Sequence, residues 1–357
     1  MSDPMTFTSA QPTGPTIIVT GGCGFIGSNL VARLAADHPG AELVVIDDFR
    51  SSSYANLVEA YGRAGIGPFV GSVHSWSTNE VDWDDLIEAI DPDVVFHLAA
   101  ITDTTVMDER AMLEANVEGF RDLMIATASR EIPLVYASSA ATYGTLEQTQ
   151  SRQPFPLDAA GVPNNVYGFS KWLMECEHRR FDREWREQSG RSPHIVGLRY
   201  FNVFGPGEAR KGKMASIAFQ NAQQMLSGKR PRLFADGSQA RDQVHVDDVV
   251  SCTIAGSLHG VTPGVYNLGS GRATSFADVA AAVREGLGLS EADYPIDYFD
   301  MPEHIRAFYQ DFTQADMTQT ASGLNWSPAI DPLEGLRSYG RWLACADAAA
   351  PTSPVTA

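Results

Sequence analysis

A tyrosine and a lysine four residues apart, Tyr167 and Lys171, are the side chains in this sequence best suited to moving a proton. Residues at this spacing share one face of a helix, so the Lys171 ammonium can lie near the Tyr167 phenol. A free phenol has a pKa of about 10 and is a poor base at neutral pH, whereas a neighbouring positive charge favours the phenolate. The pair therefore indicates Tyr167 as an acid/base group. The same spacing is common in ordinary amphipathic helices, so its place in the chain must decide between the two interpretations.

Small hydroxyl side chains follow the apolar run 134–137, with Ser138 and Ser139 directly after it. Ligands of open α/β sheets gather at the carboxyl ends of the strands. We therefore predict that Ser139 orients a reacting hydroxyl. The alternative is a serine that only caps a turn.

Three glycines, Gly21, Gly24 and Gly27, lie between an apolar run and a segment of helical period. Glycine lets the backbone turn tightly and approach a pyrophosphate, while the amides that open the following helix stabilise negative charge. A second apolar run ends in Asp47, which is placed to accept hydrogen bonds from a ribose. This order predicts a dinucleotide-binding turn rather than a glycine-rich turn without a cofactor.

Two adjacent acids, Asp47 and Asp48, bear on the choice of dinucleotide. They disfavour the 2′-phosphate of NADP because like charges repel. The positive charge of Arg50 partly compensates this repulsion. The choice between NAD and NADP therefore stays open.

The charge of the 357-residue chain limits its partners, since the formal net charge is −18. Such a field repels polyanions, so neither nucleic acid nor a membrane surface is expected as a partner. Seven basic residues against one acid between Arg210 and Arg241 favour a local pocket for a small anion over a solvated basic face.

Four widely spaced cysteines without a CxxC pair argue against a disulfide framework or a metal site, and a reducing cytoplasm fits best.

Apolar runs of strand length alternate with segments of helical period, which is the pattern of a parallel sheet in an α/β protein. The clearest strands are 16–20, 43–46, 94–97, 134–137 and 195–199, and the clearest helices are 25–36, 110–130 and 165–187. We predict a dinucleotide-binding domain over 16–204 and 244–290, a smaller substrate-binding domain over 205–243 and 291–345, and flexible tails at 1–15 and 346–357.

Several motifs together resemble the extended short-chain dehydrogenase/reductases over nearly the whole chain. They are the glycine turn, His97–Ala100, Ser138–Gly144, the Tyr167 and Lys171 pair, and Arg199–Pro206. Within that group, Ala137–Gly144, Lys211–Ser216 and Phe312–Asp316 resemble the ADP-L-glycero-D-manno-heptose 6-epimerases. The resemblance implies a Rossmann-type, doubly wound parallel sheet with a smaller C-terminal α/β domain, and tightly bound NADP or NAD.

The activity that the resemblance implies is a redox-neutral inversion of C6″ of an ADP-linked heptose, a step toward lipopolysaccharide. The implied route removes the C6″ hydrogen as hydride, lets the ketone turn over, and returns the hydride to the opposite face. Tyr167 and Lys211 would then be the acid/base pair, unless Lys211 only contacts the diphosphate. We further expect a cytoplasmic homo-oligomer whose small-molecule partner is a nucleotide sugar.

The predicted site residues fall into three sets. The catalytic set is Tyr167, Lys171, Ser139 and Lys211. The cofactor-binding set is Gly21, Gly24, Phe25, Ile26, Gly27, Asp47, Asp48, Leu98, Ala99, Ala100, Asn116, Tyr167, Lys171 and Val203. The substrate-binding set is Ser139, Asn202, Lys211, Lys213, Gln220, Phe234, Arg241 and Tyr309. Two of these depart from the heptose epimerases, since Gln220 stands in place of a histidine and Lys213 in place of a serine.

Other functions fit the same motifs. A UDP-hexose 4-epimerase would use the same cofactor, fold and tyrosine. A sugar 4,6-dehydratase is disfavoured because Ala140 and Ala141 supply no acid directly after Ser139. A non-catalytic dinucleotide sensor would not need the proton-transfer set of Ser139, Tyr167 and Lys171.

Overall fold

A parallel sheet of seven strands forms the centre of the computed structural model, which describes residues 14–146, 151–301 and 310–349. In chain order the strands are β1 (Thr16–Thr20), β2 (Glu42–Ile46), β3 (Ser72–His74), β4 (Val94–His97), β5 (Leu134–Ser139), β6 (Ile195–Tyr200), β7 (Asn202–Phe204), β8 (Arg232–Phe234), β9 (Ala240–His245), β10 (Gly264–Leu268), β11 (Ala273–Ser275) and β12 (Asp297–Phe299). The central sheet has the order β10-β6-β5-β4-β1-β2-β3, and every neighbouring pair is parallel.

Helices cover both faces of this sheet. In chain order they are α1 (Phe25–Asp37), α2 (Tyr54–Ala64), α3 (Trp83–Ile90), α4 (Glu109–Asn116), α5 (Phe120–Ser129), α6 (Val166–Ser189), α7 (Ile217–Leu226), α8 (Val246–Ala255), α9 (Phe276–Gly286), α10 (Thr318–Leu324) and α11 (Pro332–Ala349). One apolar core joins α1, α2 and α8 to one face, and a second joins α3, α5 and α6 to the other. The central strands are buried on both sides, which explains their nearly continuous apolar runs.

The strand order reverses next to β1, and this reversal fixes the place of a binding site. The chain moves outward from β1 to β3 and then restarts with β4 on the opposite side of β1. In open parallel sheets, the loops that leave two such strands diverge and open a crevice at the carboxyl ends. The glycine turn leaves β1 and the Leu98–Ala100 segment leaves β4, so both border this crevice.

A smaller region lies beyond the carboxyl ends of the sheet. Strands β7, β9 and β11 form one short sheet, and β8 pairs with β12 in another. Helices α7, α9 and α11 pack around Phe204, Val283 and Leu336 in a separate apolar cluster. This region carries several of the side chains predicted to contact substrate, among them Asn202, Lys211 and Arg241.

The structure confirms the predicted fold class and all five predicted strands. The single helix predicted over 110–130 is wrong, because it is divided into α4 and α5 at Gly119. That glycine has a φ of +78°, a left-handed conformation that an α-helix does not contain.

The predicted domain boundaries stay a prediction, although several elements near them are now placed. Helix α9 packs with α7 and α11 rather than on the central sheet. Strands β9 and β11 belong to a small sheet, so β10 is the one strand of the predicted segment 244–290 that pairs in the large sheet. Helix α11 extends to Ala349, so the first four residues of the predicted C-terminal tail are helical. Among the helices described, no stretch is long and apolar enough to cross a bilayer.

Candidate active site

The glycine turn after β1 is held so tightly that its glycines cannot carry side chains. Gly21 has a φ of +68°, and a Cβ built there would lie 2.8 Å from the amide nitrogen of Ala99. A Cβ on Gly27 would meet the carbonyl oxygen of Gly21 well inside van der Waals distance. The Gly24 amide donates to the Gly21 oxygen at 3.0 Å, and α1 begins at the next residue. Close packing of this kind brings the first amides of a helix within reach of a phosphate.

The turn of β1 is also fixed to the segment after β4. The Thr20 hydroxyl oxygen accepts hydrogen bonds from the amides of Leu98 and Ala99, both at 3.1 Å. The His97 ring lies 3.0 Å from the same hydroxyl through Nδ1, and burial lowers the pKa of His97 to about 3. This contact holds the two rims of the crevice together.

A cavity of about 770 Å³ fills this crevice and continues into the smaller region. Its wall brings together most of the predicted cofactor set, namely Gly21, Gly24, Phe25, Ile26, Gly27, Asp47, Asp48, Leu98, Ala99, Ala100, Tyr167, Lys171 and Val203. It also includes four residues predicted to contact substrate, namely Ser139, Asn202, Lys211 and Lys213. The sequence therefore identified one continuous surface from separate motifs.

Asn116 is the one predicted cofactor residue that does not line the cavity. It is buried, its Oδ1 accepts from the Ile101 amide at 2.7 Å, and its Nδ2 donates to the Ser170 hydroxyl at 2.9 Å. These bonds tie the segment after β4 to α6. Asn116 thus supports the cavity wall from behind.

The Asp47 carboxylate is held in place by the chain itself. It accepts hydrogen bonds from the amides of Cys23 and Phe49 and from the Ser52 hydroxyl. Asp48 is more open, and its carboxylate lies 3.4 Å from the Arg50 guanidinium. The two acids therefore keep this end of the cavity negative, with one cation beside them.

Tyr167 and Ser139 lie side by side where α6 meets the end of β5. Burial raises the pKa of Tyr167, and a hydrogen bond with the Ser139 side chain partly offsets that rise. The Lys171 amine donates to the carbonyl oxygen of Ala137 at 2.8 Å, and burial lowers the pKa of Lys171 to about 7. The pKa shift of Tyr167 is thus caused by burial and by Ser139, while the Lys171 amine is turned to Ala137 and is itself desolvated.

A buried ion pair that the sequence analysis missed locks α6 to the sheet. Arg199 on β6 is 1% exposed and Glu175 on α6 is 0% exposed, and they are joined by two hydrogen bonds of 2.9 and 2.7 Å. The Ser138 hydroxyl also donates to Glu175. Glu175 thereby connects the helix that carries Tyr167 to β6 through Arg199, and to the strand that carries Ser139 through Ser138. A single arginine within an apolar strand was the available signal, because a buried charge requires a partner.

Lys211 reaches the cavity from a short 3-10 helix, Ala209–Met214. Its ammonium lies 5.2 Å from the centre of the Phe25 ring, and burial lowers the pKa of Lys211. Glu208, which the sequence analysis also missed, is fully buried and opposes that shift. Its carboxylate accepts from the Gly205 amide and from the amide and hydroxyl of Ser216, which anchors this short helix.

A second cavity of about 320 Å³ adjoins the first and shares part of its wall. Ser139, Tyr167 and Asn202 line both, and Arg241 lines the second. Arg241 is buried beside the Phe276 ring, with 5.7 Å from its guanidinium to the ring centre. A guanidinium matches the geometry of a phosphate, so this cavity suits an anionic group next to the predicted proton-transfer residues.

Other predicted substrate residues lie elsewhere. Lys213 lines the larger cavity, but its amine forms an ion pair with Asp103 at 3.2 Å. Gln220 and Phe234 line neither cavity, since the Gln220 amide donates to the Ala215 carbonyl and Phe234 packs on Phe299. Tyr309 lies outside the described residues. Within the three described ranges, no group of three or more His, Cys, Asp or Glu residues is arranged to hold a metal ion.

Known proteins resemble this chain over most of its length. Residues 17–269 match the family model described as the NAD dependent epimerase/dehydratase family. The ADP-L-glycero-D-manno-heptose-6-epimerase of Helicobacter pylori is 31% identical, covers 95% of this chain and 99% of its own, and superposes with a TM-score of 0.77.

Two further solved structures, both 24% identical, share the fold. They are the UDP-N-acetylglucosamine 4-epimerase of Methanobrevibacter ruminantium, with a TM-score of 0.77, and the UDP-glucose 4-epimerase of Thermotoga maritima, with a TM-score of 0.76. Each covers 93% of this chain and 99% of its own. With the glycine turn, the reversed strand order and the Tyr167 site in one crevice, these matches establish that the chain belongs to the NAD-dependent epimerase/dehydratase family.

Proposed function

We propose that this chain is a nucleotide-sugar epimerase that inverts C6″ of an ADP-glycero-manno-heptose by transient oxidation and re-reduction with tightly bound NAD(P). The observation that carries the proposal is the position of Tyr167 and Ser139, which line both cavities at once. One cavity begins at the glycine turn, and the other contains Arg241. A proton-transfer pair between a dinucleotide and a sugar diphosphate is the arrangement that this reaction requires.

The larger cavity fits a dinucleotide. The turn admits no Cβ at Gly21 or Gly27, α1 directs its first amides toward the crevice, and Asp47 lies at the end of β2 where a ribose would be bound. A bound nicotinamide would supply the hydride acceptor and donor for the reacting carbon, and its positive charge would favour phenolate at Tyr167.

Tyr167 is proposed to take the proton from the sugar hydroxyl and to give it back when the carbonyl is reduced. Burial raises its pKa, so the phenolate that takes the proton would depend on the positive charge of a bound nicotinamide, and the phenol formed in that step keeps its proton until it returns it as the acid. Ser139, beside it, orients the hydroxyl. Lys171 supports this exchange, because a group with a pKa of about 7 gains and loses a proton easily near neutral pH.

Lys211 is proposed as the second acid/base group. Inversion exposes each face of the carbonyl in turn, so two proton-transfer groups on different sides serve it better than one. The lowered pKa of Lys211 increases the neutral amine that such a role needs. If Lys211 instead only contacts the diphosphate, its replacement will raise KM and spare kcat.

The heptose is supported by the 31% identity to the Helicobacter pylori enzyme across 95% of this chain. A UDP-hexose 4-epimerase is the second candidate, since two such proteins share the fold along most of the chain. Both reactions use the same cofactor and the same tyrosine, so the substrate distinguishes them. A cytoplasmic location and a homo-oligomeric state stay predictions.

The test is to incubate the purified protein with ADP-D-glycero-D-manno-heptose, and separately with UDP-glucose, in deuterated buffer and to follow both by NMR. We expect inversion of the heptose at C6″ without deuterium at that carbon, because the hydride returns internally. Deuterium at C6″ would indicate enolisation instead. Turnover of UDP-glucose alone would favour the 4-epimerase, and turnover of neither would favour a non-catalytic dinucleotide sensor.

Tyr167→Phe tests the assigned role. We expect it to retain the bound dinucleotide and to lower turnover by about two orders of magnitude or more, since it removes only the proton-transfer group. Tyr54→Phe is the matched control, because that tyrosine is 45% exposed and lies outside both cavities. Near-normal turnover in Tyr167→Phe would remove this residue from the mechanism.

A further inference from the structure

Gln243 lines the larger cavity, and its buried amide oxygen has no hydrogen-bond partner in the described part of the chain. The residue is 1% exposed, and its Oε1 forms no hydrogen bond within residues 14–146, 151–301 and 310–349. A buried acceptor left unpaired is unfavourable, because it has lost its hydrogen bonds to water without gaining a new one. A residue that faces a cavity can recover this cost when a ligand supplies the donor.

The neighbours of Gln243 indicate which part of a ligand it faces. Gln243 lies opposite Asn202 in the pairing of β9 with β7, and Asn202 lines both cavities. Arg241 lies two residues earlier on β9, so its side chain leaves the same face of the strand. Phe276, which lies near the Arg241 guanidinium, also lines the larger cavity. Asn202, Arg241 and Gln243 thus form a polar row beside one aromatic ring.

Asp242 lies between Arg241 and Gln243, so its side chain leaves the opposite face of β9. There it anchors the strand. Its buried carboxylate accepts hydrogen bonds from the amides of Ser270, Gly271 and Ala315. Three segments therefore meet at this carboxylate, namely β9, the loop before β11 and the segment at Ala315. Because the backbone of β9 is held by Asp242, the Gln243 side chain can be changed without releasing the strand.

We propose that Gln243 determines substrate specificity by accepting a hydrogen bond from an N–H or O–H donor on the nucleoside of the substrate. This inference rests on the proposed function, because it requires a nucleotide sugar. Tyr167 and Ser139 mark the reacting sugar, and Arg241 suits the diphosphate. The next group along such a ligand is the nucleoside, and the polar row continues to Gln243, beside a ring that can pack against it.

The experiment measures nucleotide binding, not turnover, on the protein saturated with its dinucleotide. Gln243→Met keeps the length of the side chain and removes the amide. Gln239→Met is the matched control, because Gln239 is also buried, also has an unpaired Oε1 in the described part of the chain, and lines neither cavity. ADP, UDP and 2′-deoxy-ADP are titrated calorimetrically into the wild type and both variants.

We expect Gln243→Met to weaken ADP binding about tenfold, the loss of one neutral hydrogen bond, while Gln239→Met binds like the wild type. A loss for ADP and UDP that disappears with 2′-deoxy-ADP would assign the donor to the 2′-hydroxyl. A loss for ADP and 2′-deoxy-ADP, but not for UDP, would assign it to the base. The dinucleotide affinity and the melting temperature of Gln243→Met should equal those of the wild type. If Gln243→Met does not fold, Gln243→Leu takes its place in the same titrations.

Two results would overturn the inference, and they differ in what they say about the proposed function. If the wild type and Gln243→Met bind every nucleotide equally, Gln243 does not contact the nucleoside, and the epimerase proposal is unaffected. If the wild type binds none of the nucleotides, the nucleotide-sugar substrate itself is wrong, and this inference falls with it.

Discussion

Replacing Arg199 by methionine leaves the Glu175 carboxylate as an uncompensated charge in a dry interior. Both residues are almost fully buried, and Arg199 supplies two of the hydrogen bonds to that carboxylate. The guanidinium also donates to the Tyr143 hydroxyl at 2.9 Å and to the Leu157 carbonyl at 2.8 Å. Since Glu175 lies four residues beyond Lys171 on α6, this perturbation acts on the helix that carries the proposed acid/base group.

The expected loss follows from the burial of the pair. Removing one partner of a buried ion pair costs about 3–5 kcal/mol, mostly because the remaining charge is unpaired. Arg179 also contacts Glu175, but it is half-exposed and cannot neutralise the buried side of the carboxylate. The double change Arg199→Met with Glu175→Met removes that charge as well. Apart from Arg179, which is half-exposed and remains hydrated, it leaves only neutral groups without partners, each worth about 1 kcal/mol. The double variant should therefore be at least about 2 kcal/mol more stable than Arg199→Met alone.

Urea denaturation at pH 7, followed by tryptophan fluorescence, measures the free energy of unfolding of the wild type, both single variants and the double variant. Arg191→Met is the control, because Arg191 pairs with Glu131 on the surface, where an ion pair contributes little. The reasoning is refuted if Arg199→Met lies within about 1 kcal/mol of the wild type. It is equally refuted if the two single losses simply add in the double variant.

Two further changes test the turn and the rim of the crevice. Gly27→Ala should weaken NAD(P) binding at least about tenfold, because the new methyl group collides with the Gly21 carbonyl and opens the turn; equilibrium dialysis measures the affinity. Burial lowers the pKa of His97 to about 3, so the unfolded chain takes up a proton at this residue as the pH falls below about 6.5 and the folded chain does not. Stability from this group is therefore nearly complete above pH 6.5 and declines by about 2–3 kcal/mol between pH 7 and 4.5. His97→Asn should remove that part of the decline in urea denaturation.

Each of these changes has a matched control. Gly62→Ala adds a methyl group in open space within α2, so dinucleotide affinity should not change. Equal affinity of Gly27→Ala and the wild type would show that the turn does not hold the phosphates. His259→Gln replaces an exposed histidine and should keep the full acid sensitivity of the wild type. An unchanged pH slope in His97→Asn would mean that His97 titrates normally in the folded protein.

The sequence was sufficient to predict five of the seven strands of the central sheet because their signals are local. The first strands are short apolar runs, and the glycine turn follows the first of them directly. The break at Gly119 escaped prediction because the apolar period continues through it, while the backbone conformation of one glycine divides the helix. The outer strand β3, only three residues long and half-buried, gave too little pattern to identify.

The two halves of the site were predictable to different degrees for a physical reason. The cofactor half comes from residues at the ends of consecutive strands, and the topology of a parallel sheet brings those ends to one edge. Asn116 shows the limit of this reasoning, since its amide is directed into the protein toward Ile101 and Ser170. A motif places a residue near a site, but the packing decides which way its side chain points.

The substrate half of the site depends on strand pairings and side-chain contacts that no local sequence pattern predicts. Gln243 reaches the cavity because β9 pairs with β7 and because Asp242 fixes the opposite face of the strand. Glu208 is comparable, as an acid within a glycine-rich stretch that looks solvent-exposed in sequence yet is fully buried in the fold. Since the cofactor half is constrained by the backbone and the substrate half by side chains, we expect substrate choice to change with residues on β9 and in the 3-10 helix around Lys211. Changes there should alter which nucleotide sugar binds, while the dinucleotide affinity set by the glycine turn remains the same.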